Sequence, residues 1–511
     1  MKKVLLLILD GWGINVETKH NPIAAAQPPY WNSLLSQYPT TRLSAREAAV
    51  GVPKGCLSNS EIGHTAIGAG RVVPQSAFAI DKAIEEKRFD SNPVLAKTAA
   101  HIKKYDGILH IVGMLSSGGV HSHVNHLSAL TAWAHAQNLS SVALHLLLDG
   151  RDMPPMSAIP LIEKIQKQLP PEINIVSLCG RATGMDRTEN WDRTLEFYTI
   201  ITLSTDSDIS NLDPISYIQR NYKENITDEF IAPARFSDER IKKNDAVVFF
   251  NFRADRMRQL AKIFTGHAPH TVQKKVSLPS NLFLASMANY DDTLTDVAVL
   301  FPKITPKNNL GEWVSKQGGR QLRITETEKY AHVTYFINGG QEVQYANEER
   351  LVIPSLGLKS YASEPHMSLP EVTQSLIRAL ETQHFDLVIC NIPNGDMVGH
   401  SGDYDAAVKA VEYVDRALAE IVPVAQKRGY ATIITADHGN IEHMHDGEQP
   451  HTAHTFHDVP CIIVSGADIS LSPHGELNQI APTVLQLMGL PQPDEMTSTS
   501  LIQTLSSPIK T

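Results

Sequence analysis

Val4-Leu5-Leu6-Leu7-Ile8-Leu9-Asp10-Gly11-Trp12-Gly13 stands at the start of the chain. Its apolar run, ended by an acid and followed by glycines, predicts a short strand buried on both faces. With Met1-Lys2-Lys3 in front, the run imitates a secretory signal. A signal needs roughly 7–15 apolar residues and a small-residue cleavage site. Here Asp10 ends the run after Leu9, and no such site follows. No other stretch approaches the roughly 20 apolar residues of a membrane span.

The same pattern recurs along the chain. Strands are predicted at Val4–Leu9, Ile108–Leu115, Val142–Leu148, Ile173–Leu178, Ala246–Asn251, Leu282–Met287, Phe385–Asn391, Ala431–Ala436 and Val459–Val464. Longer amphipathic stretches separate them, and Leu477–Leu487 reads as a helix near the end. Such alternation is the signature of α/β architecture with mostly parallel sheets flanked by helices. At roughly 150 residues per domain, 511 residues predict two to four domains.

Polar residues after the strands form two sets. Asp10, Asp396 and Asp437-His438 follow strands at the two ends of the chain, while His121, Arg151-Asp152, Arg181 and Arg253 follow strands in the middle. Ligands of open α/β sheets bind beyond the carboxyl ends of strands, so two sets predict two sheets. Breaks fall near Arg71–Ser76, with Pro74, and Phe301–Asn309, with Pro302 and Pro306. The expected organisation is a discontinuous domain, 1–74 and 308–511, with residues 75–307 inserted into it.

Composition excludes some partners. The net charge of -10 opposes general attraction to nucleic acid or anionic membrane. Cys56, Cys179, Cys390 and Cys461 lie far apart without a C-x-x-C pair, which reads as free thiols of a reducing compartment, the cytoplasm. A two-domain chain of this kind is expected to act as a monomer.

In the first set, Asp10 joins Asp396-Met397-Val398-Gly399-His400, Asp437-His438-Gly439-Asn440 and His451-Thr452-Ala453-His454. Each Asp alone reads equally well as a helix cap, and each His as a packed side chain. Together, mixed carboxylate and imidazole groups suit divalent ions such as Mn²⁺ or Zn²⁺. Two such ions polarise a phosphoryl group from both sides. Spacing does not choose between His451 and His454, and His443, His445 and His457 read as surface or outer residues.

Leu57-Ser58-Asn59-Ser60-Glu61-Ile62-Gly63-His64 reads as a helix start. Ser58 or Ser60 is then either a plain cap or a nucleophile. A serine hydroxyl needs a base or a metal to become nucleophilic, and a helix N-terminus favours an anion. No G-x-S-x-G elbow supports a hydrolase triad.

The middle set is of another kind. His121 and His123, Arg151-Asp152, Arg181, Arg187, Arg253 and Arg256 lie near strand ends. Arginine offers a planar donor fork that matches carboxylate and phosphate. The alternative is internal pairing with Asp152, Asp186 and Asp255, above all for Arg193 and Arg258. His121 and His123 look like a metal H-x-H pair but lack a carboxylate cluster, which favours polar substrate contact. Lys329, past the second break, is either a solvated edge lysine or a group reaching the domain junction.

Taken together, these motifs resemble the cofactor-independent, that is 2,3-bisphosphoglycerate-independent, phosphoglycerate mutases, metal-dependent members of the alkaline phosphatase superfamily. The carrying stretches are Leu9–Gly13, Asn59–His64, Gly118–His123, Leu148–Asp152, Phe249–Arg256, Thr325–Val333, Asp396–Gly402, Thr435–Asn440 and His451–Thr455. They span essentially the whole chain in the family's order. Gly180–Gly184 departs from the pattern by lacking an aromatic pair before Met185-Asp186-Arg187.

The resemblance implies an alkaline phosphatase-like domain with an inserted transferase domain. It implies two Mn²⁺ ions, with Mg²⁺, Co²⁺ or Zn²⁺ as alternatives, and no bisphosphoglycerate. Asp10, Ser60, Asp437 and His438 match the ligands of one ion; Asp396, His400 and His454 match those of the other. Ser60 matches the serine that becomes phosphorylated, and Lys329 the lysine that approaches the phosphoryl group. His121, Arg151, Asp152, Arg181, Arg187, Arg253 and Arg256 match substrate contacts.

The expected reaction interconverts 3-phosphoglycerate and 2-phosphoglycerate, in glycolysis and gluconeogenesis, through phosphoserine. Asp152 is the candidate acid–base on the glycerate hydroxyls. Domain closure, hinged near Pro74 and Pro302–Pro306, is expected to exclude water. The rivals are another superfamily member, a phosphatase or phosphopentomutase, and a metal- or anion-binding protein without turnover.

Overall fold

The computed structural model describes residues 1–203 and 211–506. The chain divides into two compact units: Met1–Pro74 with the chain from Ile304 onward, and Gln75–Lys303. The return crossing lies at Lys303–Ile304, so residues 304–307 belong with the outer unit rather than with the inserted segment. Contacts inside the outer unit explain this. The Lys307 carbonyl accepts from Arg71 at 2.5 Å, and a Cβ on Gly339 would stand 2.3 Å from Pro306.

In the outer unit, one sheet runs in the order Glu348–Ile353, Gln321–Glu326, Leu387–Ile392, Lys3–Leu9, Tyr430–Thr435, Val459–Val464, Thr40–Ser44, His474–Glu476. The first five strands are mutually parallel. Val459–Val464 runs antiparallel to both of its neighbours. The opening strand is therefore central, which is why every residue from Val4 to Leu9 is buried. Register places Leu9 beside Ile392 and Ile8 beside Thr435. Chain segments bearing Asp10, Asp396 and Asp437 thus leave three adjacent strands at the same edge. The helix Tyr404–Lys427 packs an alanine- and valine-rich face, including Ala407, Val411 and Val414, into the same core.

The inserted unit has its own sheet, in the order Ala234–Arg235, Ile173–Gly180, Val142–Leu148, Leu109–Leu115, Ala246–Phe249, Phe283–Ser286, Val297–Val299. Only the short Ala234–Arg235 edge strand is antiparallel. Numbered along the chain, the parallel strands lie in the doubly wound order 3-2-1-4-5-6. Successive side chains serve opposite faces: Val248 and Phe250 join one core, Val247 and Phe249 the other. The order reverses between Leu109–Leu115 and Ala246–Phe249, and a crevice beyond the carboxyl ends at such a point is where this architecture binds ligands.

Among the described residues, no helix is long and apolar enough to cross a membrane. Cys179, Cys390 and Cys461 are buried in the cores.

Candidate active site

Ser60 is the first residue of the helix Ser60–Ala69, and neither it nor Ser58 is the cap. Asn59 is, its side chain accepting from the Ile62 N–H at 2.9 Å. The Ser60 hydroxyl is thereby spared for other contacts. It donates to Asp10 Oδ1 at 3.1 Å, and it meets His438 Nε2 and Lys329 Nζ at 2.9 Å each. The helix comes this close because Gly63 faces Asp437: a Cβ there would stand 2.6 Å from the Asp437 carbonyl oxygen. Gly11 does the same on the opposite side. Its φ is +72° and a Cβ would stand 2.7 Å from the Asp396 backbone.

Around the serine, the predicted groups gather. Lys329 Nζ donates to Asp10 Oδ1 at 3.0 Å and Asp396 Oδ2 at 2.7 Å. His438 Nε2 lies 3.5 Å from Asp10 Oδ1 and 3.4 Å from Asp437 Oδ2. Asp396 Oδ1 lies 3.1 Å from His400 Nε2 and 3.2 Å from His454 Nε2. The His438 and His454 rings stack with centroids 3.8 Å apart. His451 is not part of this group; its Nδ1 meets Asp446 Oδ2 at 2.7 Å instead.

Further groups orient these residues. Asn391 Nδ2 donates to Asp10 Oδ2 at 2.8 Å. His64 Nδ1 lies 3.2 Å from Asp437 Oδ2. His400 Nδ1 and His454 Nδ1 meet the Thr452 and Ser58 carbonyls at 2.7 and 2.8 Å, leaving both Nε2 atoms turned toward Asp396. Sequence reasoning missed Glu442. Fully buried, it accepts from the Gly13 and Asn440 N–H groups at 3.0 and 2.8 Å, from the Thr455 hydroxyl, and contacts His457 Nδ1 at 2.9 Å. It joins the loop after the first strand to the segment that carries His438 and His454. Nothing in the local sequence sets it apart from a solvated acid.

Crowding of like charges in a dry site shifts these groups apart. Burial, then the neighbouring Asp437 charge, pushes the Asp10 carboxyl up. Burial acts the same way on Asp396 and Asp437. Lys329 together with the surrounding imidazoles outweighs it at Asp396, and His438, the nearby His64 ring and Lys329 together outweigh it at Asp437, so both are held below the usual carboxylate range. Burial opposes the charge on Lys329 as well, but Asp10 and Asp396 hold the ammonium above its ordinary value.

The donor set fits divalent cations. Asp396, His438 and His454 offer ligand atoms within 4.8 Å of one another, and so do Asp10, Asp437 and His438. Asp437 Oδ2 is buried without a hydrogen-bond partner. An orphaned carboxylate oxygen facing imidazoles and other carboxylates is satisfied by a metal ion.

The inserted unit carries the second group. Arg181, almost fully buried, donates from one terminal nitrogen to Asp149 Oδ1 and Asp152 Oδ2, at 2.6 Å each. His121 lies between carboxylates, 3.8 Å from Asp152 Oδ2 and 3.5 Å from Asp255 Oδ1. Arg187 and Arg253 both face Asp255, at 3.0 and 3.3 Å. Arg256 donates to the Met185 carbonyl at 3.2 Å, and its Nε is buried without a partner. Arg151 is largely exposed and stands 3.7 Å from Glu229. His123 turns out to cap the helix Val124–Ala136, accepting from the Asn125 N–H at 3.2 Å. Arg193 and Arg258 pair with Asp186 and Asp291, at 3.7 and 3.6 Å. Asp255, treated as a mere counter-ion in sequence, is the hub of three basic side chains.

Comparison with known proteins identifies the family. The model of the metalloenzyme superfamily matches residues 2–492. The 2,3-bisphosphoglycerate-independent phosphoglycerate mutase of Francisella tularensis subsp. novicida (strain U112) is 41% identical over 511 residues, covering 98% of this chain and 99% of that protein. The enzyme of the same name from Legionella pneumophila (strain Corby) is 42% identical over 505 residues, covering 98% of each. Among solved structures, phosphoglycerate mutase of Leishmania mexicana, studied at low cobalt concentration, superposes with a TM-score of 0.63 at 28% identity, covering 98% of this chain and 97% of that one. On sequence over nearly its full length, this chain belongs to the 2,3-bisphosphoglycerate-independent phosphoglycerate mutase family of the metalloenzyme superfamily.

Proposed function

We propose that the chain interconverts 3-phosphoglycerate and 2-phosphoglycerate, without bisphosphoglycerate, by forming phosphoserine at Ser60. The observation that carries this reading is the Ser60 hydroxyl, uncapped at a helix start and bonded at once to Lys329, His438 and Asp10. Asp10, Ser60, Asp437 and His438 would hold one divalent cation; Asp396, His400 and His454 would hold a second. Mn²⁺ is the proposed ion, with Mg²⁺, Co²⁺ and Zn²⁺ as alternatives. Bound there, the ions supply Lewis acidity that favours the serine alkoxide and neutralises phosphoryl charge.

The chain's own groups do the rest. Ser60 Oγ attacks phosphorus, and the bond from phosphorus to the glycerate oxygen breaks. Lys329, held as an ammonium by its carboxylate neighbours, donates to the phosphoryl oxygens, where negative charge is concentrated. The helix start adds its dipole in the same direction. His121, Arg151, Arg181, Arg187, Arg253 and Arg256 hold the glycerate carboxylate and hydroxyls. Asp152, fixed by Arg181, gives a proton to the departing oxygen and removes one from the other hydroxyl when that takes the phosphoryl group back. We take the protein to be a cytoplasmic monomer whose partner is this small substrate.

The test is phosphorus NMR of 3-phosphoglycerate with protein and Mn²⁺, no bisphosphoglycerate being added. A 2-phosphoglycerate signal that chelation abolishes is expected. Ser60→Ala should reduce turnover by about 10³-fold or more, because the nucleophile is removed. Release of inorganic phosphate alone would make the protein a hydrolase, and normal turnover by the Ser60 variant would remove the phosphoserine step.

A further inference from the structure

Between His438 and His454 the chain forms a small hairpin, His445–Asp446 paired antiparallel with Gln449–Pro450. Gly447, at φ +65°, makes its turn. The hairpin brings together three side chains that the reaction above does not use. His443 Nε2 lies 2.9 Å from Asp446 Oδ1, and His451 Nδ1 lies 2.7 Å from Asp446 Oδ2. One carboxylate is thus clasped by an imidazole on each oxygen. The two rings stand edge to face, 5.1 Å apart. Three ligand atoms, one from each residue, lie within 4.8 Å of one another. His443 also lines a cavity of about 450 Å³ with Arg42, Arg46, His457 and Asp458, which gives a solute a way in.

We propose that His443, Asp446 and His451 form a third divalent-cation site, separate from the cluster around Ser60. Two imidazole nitrogens and a carboxylate oxygen suit Zn²⁺, Co²⁺, Ni²⁺ or Cu²⁺ rather than Mg²⁺ or Ca²⁺, which prefer oxygen throughout. A four-coordinate ion with bonds of about 2.1 Å holds its ligand atoms about 3.4 Å apart. The present separations of 2.9 Å from His443 and 2.7 Å from His451, each to a different oxygen of Asp446, would widen by about 0.5 and 0.7 Å, with the carboxylate turning to offer one oxygen to the ion. Exposed and half-buried side chains on a hairpin accommodate that by small rotations. With the ion bound, His443 Nε2 and His451 Nδ1 offer their lone pairs, the ring proton of each lies on its other nitrogen, and the cation replaces the two contacts to the carboxylate. A water from the cavity completes the coordination.

Such an ion has a structural consequence nearby. The His451 N–H donates to the Met444 carbonyl at 2.8 Å, closing the base of the hairpin. The next residue, Thr452, supplies the carbonyl that orients His400, and His454 follows. A cation joining residues 443, 446 and 451 would therefore fix the segment from which His400 and His454 take their orientation. The inference stands whether or not the cluster around Ser60 takes two ions, because its test reads a difference.

The test is equilibrium dialysis of the full chain against buffered Zn²⁺ at micromolar free concentration, with protein-bound zinc counted by mass spectrometry. Wild type is expected to bind one equivalent more than His443→Gln and one more than Asp446→Asn. Circular dichroism of the metal-free variants, unchanged from wild type, excludes misfolding as the cause. Anomalous scattering at the zinc edge should place the extra ion between the three side chains. Equal zinc content in wild type and both folded variants would overturn the proposal, as would an extra ion located elsewhere.

Discussion

Lys329 Nζ stands 2.9 Å from the Ser60 hydroxyl while also bonding Asp10 and Asp396, so one ammonium serves both the serine and the charge balance around it. Replacing it by methionine should separate the two roles. Activity with Mn²⁺ should fall by about 10²–10³-fold, the usual loss for one preorganised donor to a developing charge. The metal-free variant should lose about 3–5 kcal/mol, since buried carboxylates are left uncompensated. The loss should shrink toward acid pH, as protons taken up by the carboxylates stand in for the missing positive charge. Thermal unfolding with and without Mn²⁺ at two pH values measures it. An unchanged metal-free melting temperature would rule out the charge-balancing role.

Glu442 touches no reacting group, yet it receives donors from both segments that frame the cluster. Glu442→Gln puts a donor where only acceptors fit. The Mn²⁺ concentration for half-maximal activity should rise by about 10–100-fold, as for other groups that orient metal ligands. Saturating Mn²⁺ should restore most of kcat. Metal titrations of activity distinguish this from a catalytic role, in which kcat would stay low at any metal concentration.

Arg256 lives among like charges. Burial, then Arg181 and Arg187, pulls its pKa below the ordinary arginine value. Folding thus tolerates a repulsion that a bound anion would relieve. Arg256→Met should raise KM by about 10–100-fold, the equivalent of one charged hydrogen bond, while leaving the melting temperature unchanged or higher. A lower melting temperature with an unaltered KM would mark Arg256 as a structural residue.

His121 gives the pH dependence a definite sign. Burial, aided by Arg181 and opposed by Asp255, pushes it down to about 4. In the unfolded chain it titrates near its ordinary 6.5. Between these values the unfolded chain binds a proton that the native protein does not. Stability therefore falls as pH drops through that window and is recovered as pH rises. His121→Gln should make the urea midpoint less sensitive to pH between about 6.5 and 4. Ring NMR of His121 should show it neutral at pH 5, and titration near 6.5 would contradict the depressed value.

Much of this was legible because buried parallel strands write themselves as apolar runs. Val4–Leu9 and Val142–Leu148 are examples, each followed by candidate site residues. Gln321–Glu326 was not legible. Its sequence, Gln-Leu-Arg-Ile-Thr-Glu, reads as polar, yet all of it is buried, with Arg323 bonding Gln321 at 2.7 Å. This strand leads directly to Lys329, so the lysine could not be placed from local pattern. The choice of His454 over His451 was hidden for a related reason. Both residues lie in irregular chain, and only the hairpin beside them directs one to Asp446 and the other to Asp396. The partnership of Asp255 with three basic groups likewise depends on strands meeting at a switch in order, which no window of sequence contains.

The central position of Lys3–Leu9, between Leu387–Ile392 and Tyr430–Thr435, also dictates an order of events during synthesis. The ribosome makes this greasy strand several hundred residues before its two neighbours. The segment Gln75–Lys303, continuous and with its own cores, emerges whole in between. Vectorial production therefore lets the interior module mature while the earlier strand waits unpaired and exposed to aggregation. Slowing translation beyond residue 303 would lengthen that wait, and the yield of soluble protein, rather than its final activity, is where the cost would fall.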